Sequence, residues 1–146
     1  MKIVEGGVTA PQGFLAQGVV AEVKKKDKKD VAIIYSGKPC NAAAVSTTNR
    51  VRAACVDLTR EHLHNGRAQA VVVNSGNANA CTGEQGMADA RRMAELTAKP
   101  LNIKTEDVLV ASTGVIGVHM PMERIEAGIK EAADSLSVDG GHNAAL

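Results

Sequence analysis

The 146 residues carry 45% hydrophobic and 23% charged side chains and a formal net charge of +1, a balance that excludes a disordered chain and argues against strong attraction to phosphate backbones. Only Phe14 and Tyr35 are aromatic, so no stacking platform for single-stranded nucleic acid exists and the core must come from Val, Ile, Leu, Ala and Met. No apolar run approaches the ~18 residues of a bilayer span, and no basic segment leads into an apolar one at the start, so the expectation is a cytosolic chain without nucleic-acid or membrane partner.

The length fits one domain, 1–146. Gly18 to Val23 alternates weakly, Val31 to Ser36 reads as a strand, and the basic stretch from Lys24 to Asp30 between them predicts a hairpin with a solvated tip. A further strand is expected over Ala42 to Thr47. Val56 to His64 reads as a short helix stopped by Asn65-Gly66. Ala70 to Asn74 is aliphatic and uncharged, as suits a buried strand.

Thr82-x-x-Gln85 has the form of a capping box, which opens a helix. Met87, Ala90, Ala94 and Thr97 share one face of that helix, and Pro100 is expected to end it near Lys99. Val108 to Ser112 forms the next strand. Pro121 suits the first turn of the following helix, whose Met122, Ile125, Ile129, Ala132, Ala133 and Leu136 make an apolar stripe. From Ser137 to Leu146 the tail is Gly-rich and polar before an apolar ending, which reads as a chain re-entering a sheet. This irregular alternation of strands and helices predicts a mixed α/β fold.

The most informative segment is Val108 to Gly117, where an aliphatic strand runs into Ala-Ser-Thr-Gly. Gly114 has no Cβ, so its N–H can approach a substrate closely. Beside it the Thr113 hydroxyl offers a second donor, and two converging donors are what acyl transfer needs to hold a tetrahedral oxyanion. A plain strand-to-helix turn would use the same residues.

Other candidates carry bland accounts as well. Asn74, Asn77 and Asn79 can line an amino-acid pocket, or form turns, since asparagine tolerates left-handed dihedrals. Cys81 precedes the predicted helix start, where a thiol pKa falls, and a thiol-hydrolase reading would pair it with His119. Cys40, Cys55 and Cys81 are an odd number without Cys-x-x-Cys spacing, which points to reduced thiols. His62 and His64 stand two apart on a predicted helix and face different ways, while His119 and His142 are isolated, so no metal site is expected. Gly6-Gly7 and Gly140-Gly141 reproduce no phosphate-binding pattern, and no cofactor is expected.

Taken in order, Val8-Thr9-Ala10-Pro11-Gln12-Gly13-Phe14, the run Ala68 to Gly83 with its Asn-Ser-Gly-Asn-Ala-Asn-Ala-Cys-Thr-Gly, Ala111-Ser112-Thr113-Gly114-Val115-Ile116-Gly117 and Met120-Pro121-Met122 resemble the ornithine acetyltransferase family, the bifunctional glutamate N-acetyltransferases of arginine biosynthesis. The match runs from about Gly7 to Leu146. Ala44 and Ser46 depart from it, where the family usually has glycine and phenylalanine, and these are packing positions.

That resemblance implies a layered sheet-on-sheet sandwich with helices outside, of which this chain would be the leading part. It implies acetyl transfer from N-acetylornithine to glutamate through an acetylated threonine, with acetyl-CoA accepted by some members and no metal or bound cofactor. Thr113 and Gly114 match the family's oxyanion hole. The nucleophile is a threonine freed by self-cleavage between Ala and Thr, and no such site occurs here; Thr9, Thr47, Thr48, Thr59 and Thr82 stand neither at a chain start nor beside a paired base. The expectation is therefore an N-terminal portion that is inactive without a C-terminal (beta) portion and assembles with it as a hetero-oligomer. Two other readings remain: a noncatalytic truncated fragment, and an amide hydrolase related to self-cleaving aminopeptidases.

Overall fold

The computed structural model describes residues 7–24 and 26–146; Gly6 of the Gly6-Gly7 pair and Lys25 of the basic loop lie outside them. Four strands, β1 (Phe14–Val19), β2 (Val31–Asn41), β3 (Arg67–Asn77) and β4 (Val108–Val115), form one sheet in chain order. The first two neighbouring pairs are antiparallel and β3–β4 is parallel. A parallel pair needs a long crossover, supplied by helix α2 (Gly83–Leu101); α1 (Ala54–His62) precedes β3, and α3 (Met122–Asp134) and α4 (Gly141–Ala145) follow β4. This is the mixed α/β class that the alternation of elements predicts.

Period-two alternation decides which face the helices cover. Val19, Val31, Ile33, Ala70, Val72, Val108 and Val110 turn to one face and share a core with Leu58 of α1, Ala90, Met93 and Ala94 of α2, and Ile125, Ile129 and Ala132 of α3. Ile33, Leu58, Met93, Ile125 and Ile129 are wholly buried, and burial of each such side chain contributes roughly 1.5–3 kcal/mol. The opposite face carries Ala32, Ile34, Val71, Val73, Leu109 and Ala111, all half-buried. Helix α4 covers its β1 corner, where a Cβ on Gly18 would meet the Asn143 carbonyl. Among the described residues no second sheet lies over the rest of that face.

Both sheet edges are closed by other means than strands, which protects their free backbone groups. Along β4, the Thr59 hydroxyl donates to Val110 O at 2.9 Å and accepts from Val110 N at 3.2 Å. One turn later the His62 Nδ1 proton goes to Val108 O at 2.7 Å. Along β1, Ala16 and Ser137 exchange backbone hydrogen bonds at 3.0 and 3.2 Å.

Several expected boundaries move, each for a backbone reason. The hairpin forms, but its first strand is Phe14–Val19 rather than 18–23. Past Val19 the Asp30 carboxylate takes the amides of Ala21 (2.8 Å) and Val23 (2.6 Å), and Glu22 turns left-handed at φ 55°. Residues 42–47 are not a strand: β2 runs through a bulge to Asn41, opposite Arg67, and beyond it β3 has no further residue to pair. Helix α1 begins two residues early and ends at His62; a tight turn over Leu63–Asn65 follows and closes at Gly66, φ 68°, where Asn65-Gly66 predicts the stop.

No capping box forms at α2. Thr82 has φ −111° and ψ 3°, and its side chain makes no cap bond; the hydroxyl donates to Asn79 Oδ1 at 2.8 Å while Gln85 reaches forward to Asp89 at 2.8 Å. Pro100 does not end the helix but occupies its last turn, and left-handed Asn102 closes it. Pro121 stands just before α3 at the cap position. The expected strand-like tail is instead the short helix α4.

Candidate functional site

Thr113 and Gly114 lie inside β4 rather than after it, because the parallel pairing with β3 persists to Asn77 through an irregular register. Asn77 faces both Thr113 and Val115, so the two strands close around Gly114. Gly114 adopts φ 138°, and a Cβ there would overlap the carbonyl group of Gly76 and the nitrogen of Asn77. Both the left-handed dihedral and the close approach therefore require glycine. Both candidate residues are exposed, and among the described residues the Thr113 hydroxyl has no hydrogen-bond partner. An unoccupied donor beside a glycine backbone, at the open end of a rigid strand, is an arrangement that can receive developing negative charge.

A hollow of about 300 Å³ opens at Gly114, lined also by Ser75, Gly76, Asp30, Leu146 and the lysines Lys24, Lys28 and Lys29. Gly76, at φ 100°, lets Lys24 pack closely at its wall: a Cβ there would stand 2.8 Å from Cβ of Lys24. The larger hollow, about 800 Å³, is lined by residues 42–47, α1 and Val110 to Ser112, and not by Thr113 or Gly114. Ser112 turns its hydroxyl to the helix-covered side, where that atom and Asn74 Oδ1, its register neighbour, are buried without a partner among the described residues.

The three asparagines are structural by their contacts. All are buried. Asn74 Nδ2 donates to Asn77 O at 2.9 Å, and Asn77 Nδ2 to the carbonyls of Val118 and His119 at 3.1 Å each. Asn77 Oδ1 accepts from Asn79 N at 2.8 Å, and Asn79 Nδ2 donates to Gly86 O at 2.7 Å. Asn79 is left-handed at φ 48°, the property that the turn reading invokes. None of the spacing rules used on the sequence singled out Asn77 as the residue wrapping Gly114.

Of the remaining candidates, Cys81 and His119 are both exposed, and no hydrogen bond joins them among the described residues. Cys40, Cys55 and Cys81 are free thiols. His62 is buried against Val108 while exposed His64 bonds Glu61 O at 3.1 Å, so the two diverge. No group of three or more His, Cys, Asp or Glu able to hold a metal ion occurs among the described residues, and no helix there is long and apolar enough to cross a membrane. Thr59 and Thr82 are committed to Val110 and Asn79, and Thr47 and Thr48 lie in an exposed segment. Charge pairing sits on the helical surface: Arg91 donates to Glu61 at 2.8 and 3.2 Å and holds that carboxyl below the usual range.

The model of the ArgJ family matches residues 15–146. An arginine biosynthesis bifunctional protein ArgJ from Caldanaerobacter subterraneus subsp. tengcongensis is 56% identical over 145 residues, covering 99% of this chain and 36% of that protein. Its counterpart from Symbiobacterium thermophilum is 58% identical over 147 residues, 99% of this chain and 37% of that protein. The chain thus spans little more than a third of the length of these curated relatives. Among solved structures, ornithine acetyltransferase from Mycobacterium tuberculosis, in complex with ornithine, superposes with a TM-score of 0.90 at 41% identity, over 96% of this chain and 77% of that one. The ArgJ protein of Bacillus halodurans gives 0.87 at 40% identity, over 95% and 73%.

Proposed function

The chain belongs to the ArgJ family, and from that membership we propose that it works in acetyl transfer from N-acetylornithine to glutamate, contributing the oxyanion hole through the Thr113 hydroxyl and the Gly114 amide. In this reading a threonine nucleophile, outside these 146 residues and activated by its own terminal amine, attacks the acetyl carbonyl. The carbonyl π pair moves onto oxygen, where Thr113 and Gly114 donate to it. Collapse breaks the C–N bond, the departing amine takes a proton as ornithine, and an acetyl-threonine ester is left. Attack by the glutamate amine and collapse of a second tetrahedral adduct return the threonine and release N-acetylglutamate.

The observation that carries this reading is the unpartnered Thr113 hydroxyl, exposed beside a glycine that admits no other residue. Donors aimed at charge that arises only in the transition state lower the barrier, and removal of one raises it by roughly 2.7–4 kcal/mol. The remainder of the enzyme supplies the nucleophile and most substrate contacts, as a second portion assembled with this one in the cytosol. Alone, the chain is expected to be inactive.

The test uses the complete enzyme with N-acetylornithine and glutamate. Thr113→Ala is expected to lower turnover about a hundredfold or more, and Thr113→Ser less. Equal turnover for the wild type and Thr113→Ala removes the hydroxyl from the mechanism, while release of acetate without N-acetylglutamate replaces the transferase by a hydrolase.

A further inference from the structure

Gly114 is held from two sides, and Asn77 takes part in both, by its backbone in the pairing and by its buried carboxamide beyond it. Its backbone pairs with β3 at the irregularity where Asn77 faces Thr113 and Val115 together. The segment leaving β4 then runs over the surface with Ile116 66% and Val118 54% exposed, so packing does little to fix its course. Two backbone bonds tie it down, from Ala78 N to Val115 O at 2.9 Å and from Gly117 N to Ala80 O at 2.8 Å. Among the described residues the remaining ties are the two donations from Asn77 Nδ2 to the carbonyls of Val118 and His119 at 3.1 Å each. Across the same amide, Oδ1 accepts from Asn79 N at 2.8 Å and anchors Asn77 to the segment that follows its strand.

We infer that Asn77 is a positioning residue for the oxyanion hole: its carboxamide clamps residues 118 and 119 to the end of β3 and thereby fixes the peptide plane that presents the Gly114 N–H. This rests on the assignment of Thr113 and Gly114 above. Asn77 is only 3% exposed and every polar side-chain atom is in use, so it acts through Gly114 rather than on substrate. A donor displaced by a fraction of an ångström from the developing charge loses its advantage in the transition state while ground-state binding persists.

Asn77→Asp tests this with almost no change of shape. The introduced carboxyl still accepts from Asn79 N, but as an anion it faces two carbonyl oxygens with no proton to give. Burial and those oxygens raise its pKa above the ordinary ~3.9. Once protonated, the acid donates to one carbonyl again, so the clamp should partly return as pH falls. His119, Lys24 against Gly76 and Cys81 are titratable side chains of the neighbouring segments among the described residues; they are the same in variant and wild type, and the variant-to-wild-type ratio at each pH removes their share.

In the complete enzyme, Asn77→Asp at pH 8 is expected to lower kcat per folded molecule about ten- to a hundredfold with KM for N-acetylornithine changed by less than about twofold, and the kcat ratio should climb towards pH 5. Wild-type kcat in the folded variant, or a loss that does not recover with acid, overturns the inference. Hydrogen exchange of residues 113–119 gives a readout independent of turnover: faster exchange in Asn77→Asp, or in the less drastic Asn77→Ser should the first not fold, is expected, and unchanged exchange overturns the clamp. Failure of wild-type acetyl transfer, or indifference to Thr113→Ala, would instead strike at the oxyanion assignment, even where faster exchange upholds the clamp.

Discussion

From Ala70 to Val72 and from Val108 to Val110, the parallel pair β3–β4 turns plain aliphatic alternation towards three helices. From Asn74 to Asn77 and from Ser112 to Gly114, the same pair is made of amides, hydroxyls and two glycines in left-handed dihedrals. The first half is stabilised by area removed from water, a nondirectional term that tolerates exchange of one aliphatic side chain for another of similar volume. In the second half Gly76 and Gly114 admit no Cβ, and the amides of Asn74 and Asn77 hold backbone carbonyls, tasks that few other residues can do. Substitutions in the first should therefore read out in stability, and in the second first of all in turnover.

The sharpest challenge to that division is Gly114→Ala. A methyl group would enter the space of Gly76 and Asn77 at an unfavourable φ, and the expected result is loss of at least about a thousandfold in acetyl transfer in the complete enzyme. Retained turnover would show that the strand end deforms freely. Against the aliphatic half, Ile129→Ala on α3 empties a wholly buried position of the same core and should cost about 2–5 kcal/mol in urea unfolding, with turnover per folded molecule unchanged; a turnover defect in the folded variant would erase the distinction.

Thr59→Val probes the border between the halves. It keeps shape but leaves Val110 O and N at the sheet edge without their hydroxyl partner, for an expected loss of about 1–3 kcal/mol in the same measurement. The smallest effect belongs to the surface pair Glu61–Arg91. Arg91 lowers the Glu61 pKa, so whatever stability the pair gives is present above the unfolded-state pKa of glutamate and disappears as pH falls through the lower folded value. Wild type and Glu61→Gln should thus differ slightly at pH 7 and converge as pH falls below the folded value; a difference that widens in acid would contradict the assigned sign.

Hydrophobic period and glycine placement determined a good deal of this from the sequence alone. Val31–Ser36, Ala70–Asn74 and Val108–Ser112 are strands, the stripe from Met122 to Leu136 marks α3, Gly66 stops the chain after α1, and Ser112-Thr113-Gly114 marks the strand end of interest. These are local properties, written in neighbouring residues. Tertiary structure alone decided the rest. A carboxylate at Asp30 ended β1 four residues before the predicted strand end, the turn at Gly66 left 43–47 without a strand to pair with, and Asn79 drew Thr82 out of its capping role. It also decided that the strand continues through Gly114 because Asn77, 37 positions earlier in the chain, lies opposite. Hydrogen-bond partners brought together by packing carry no signature in sequence spacing, because which donor meets which acceptor is fixed only when the sheet has formed.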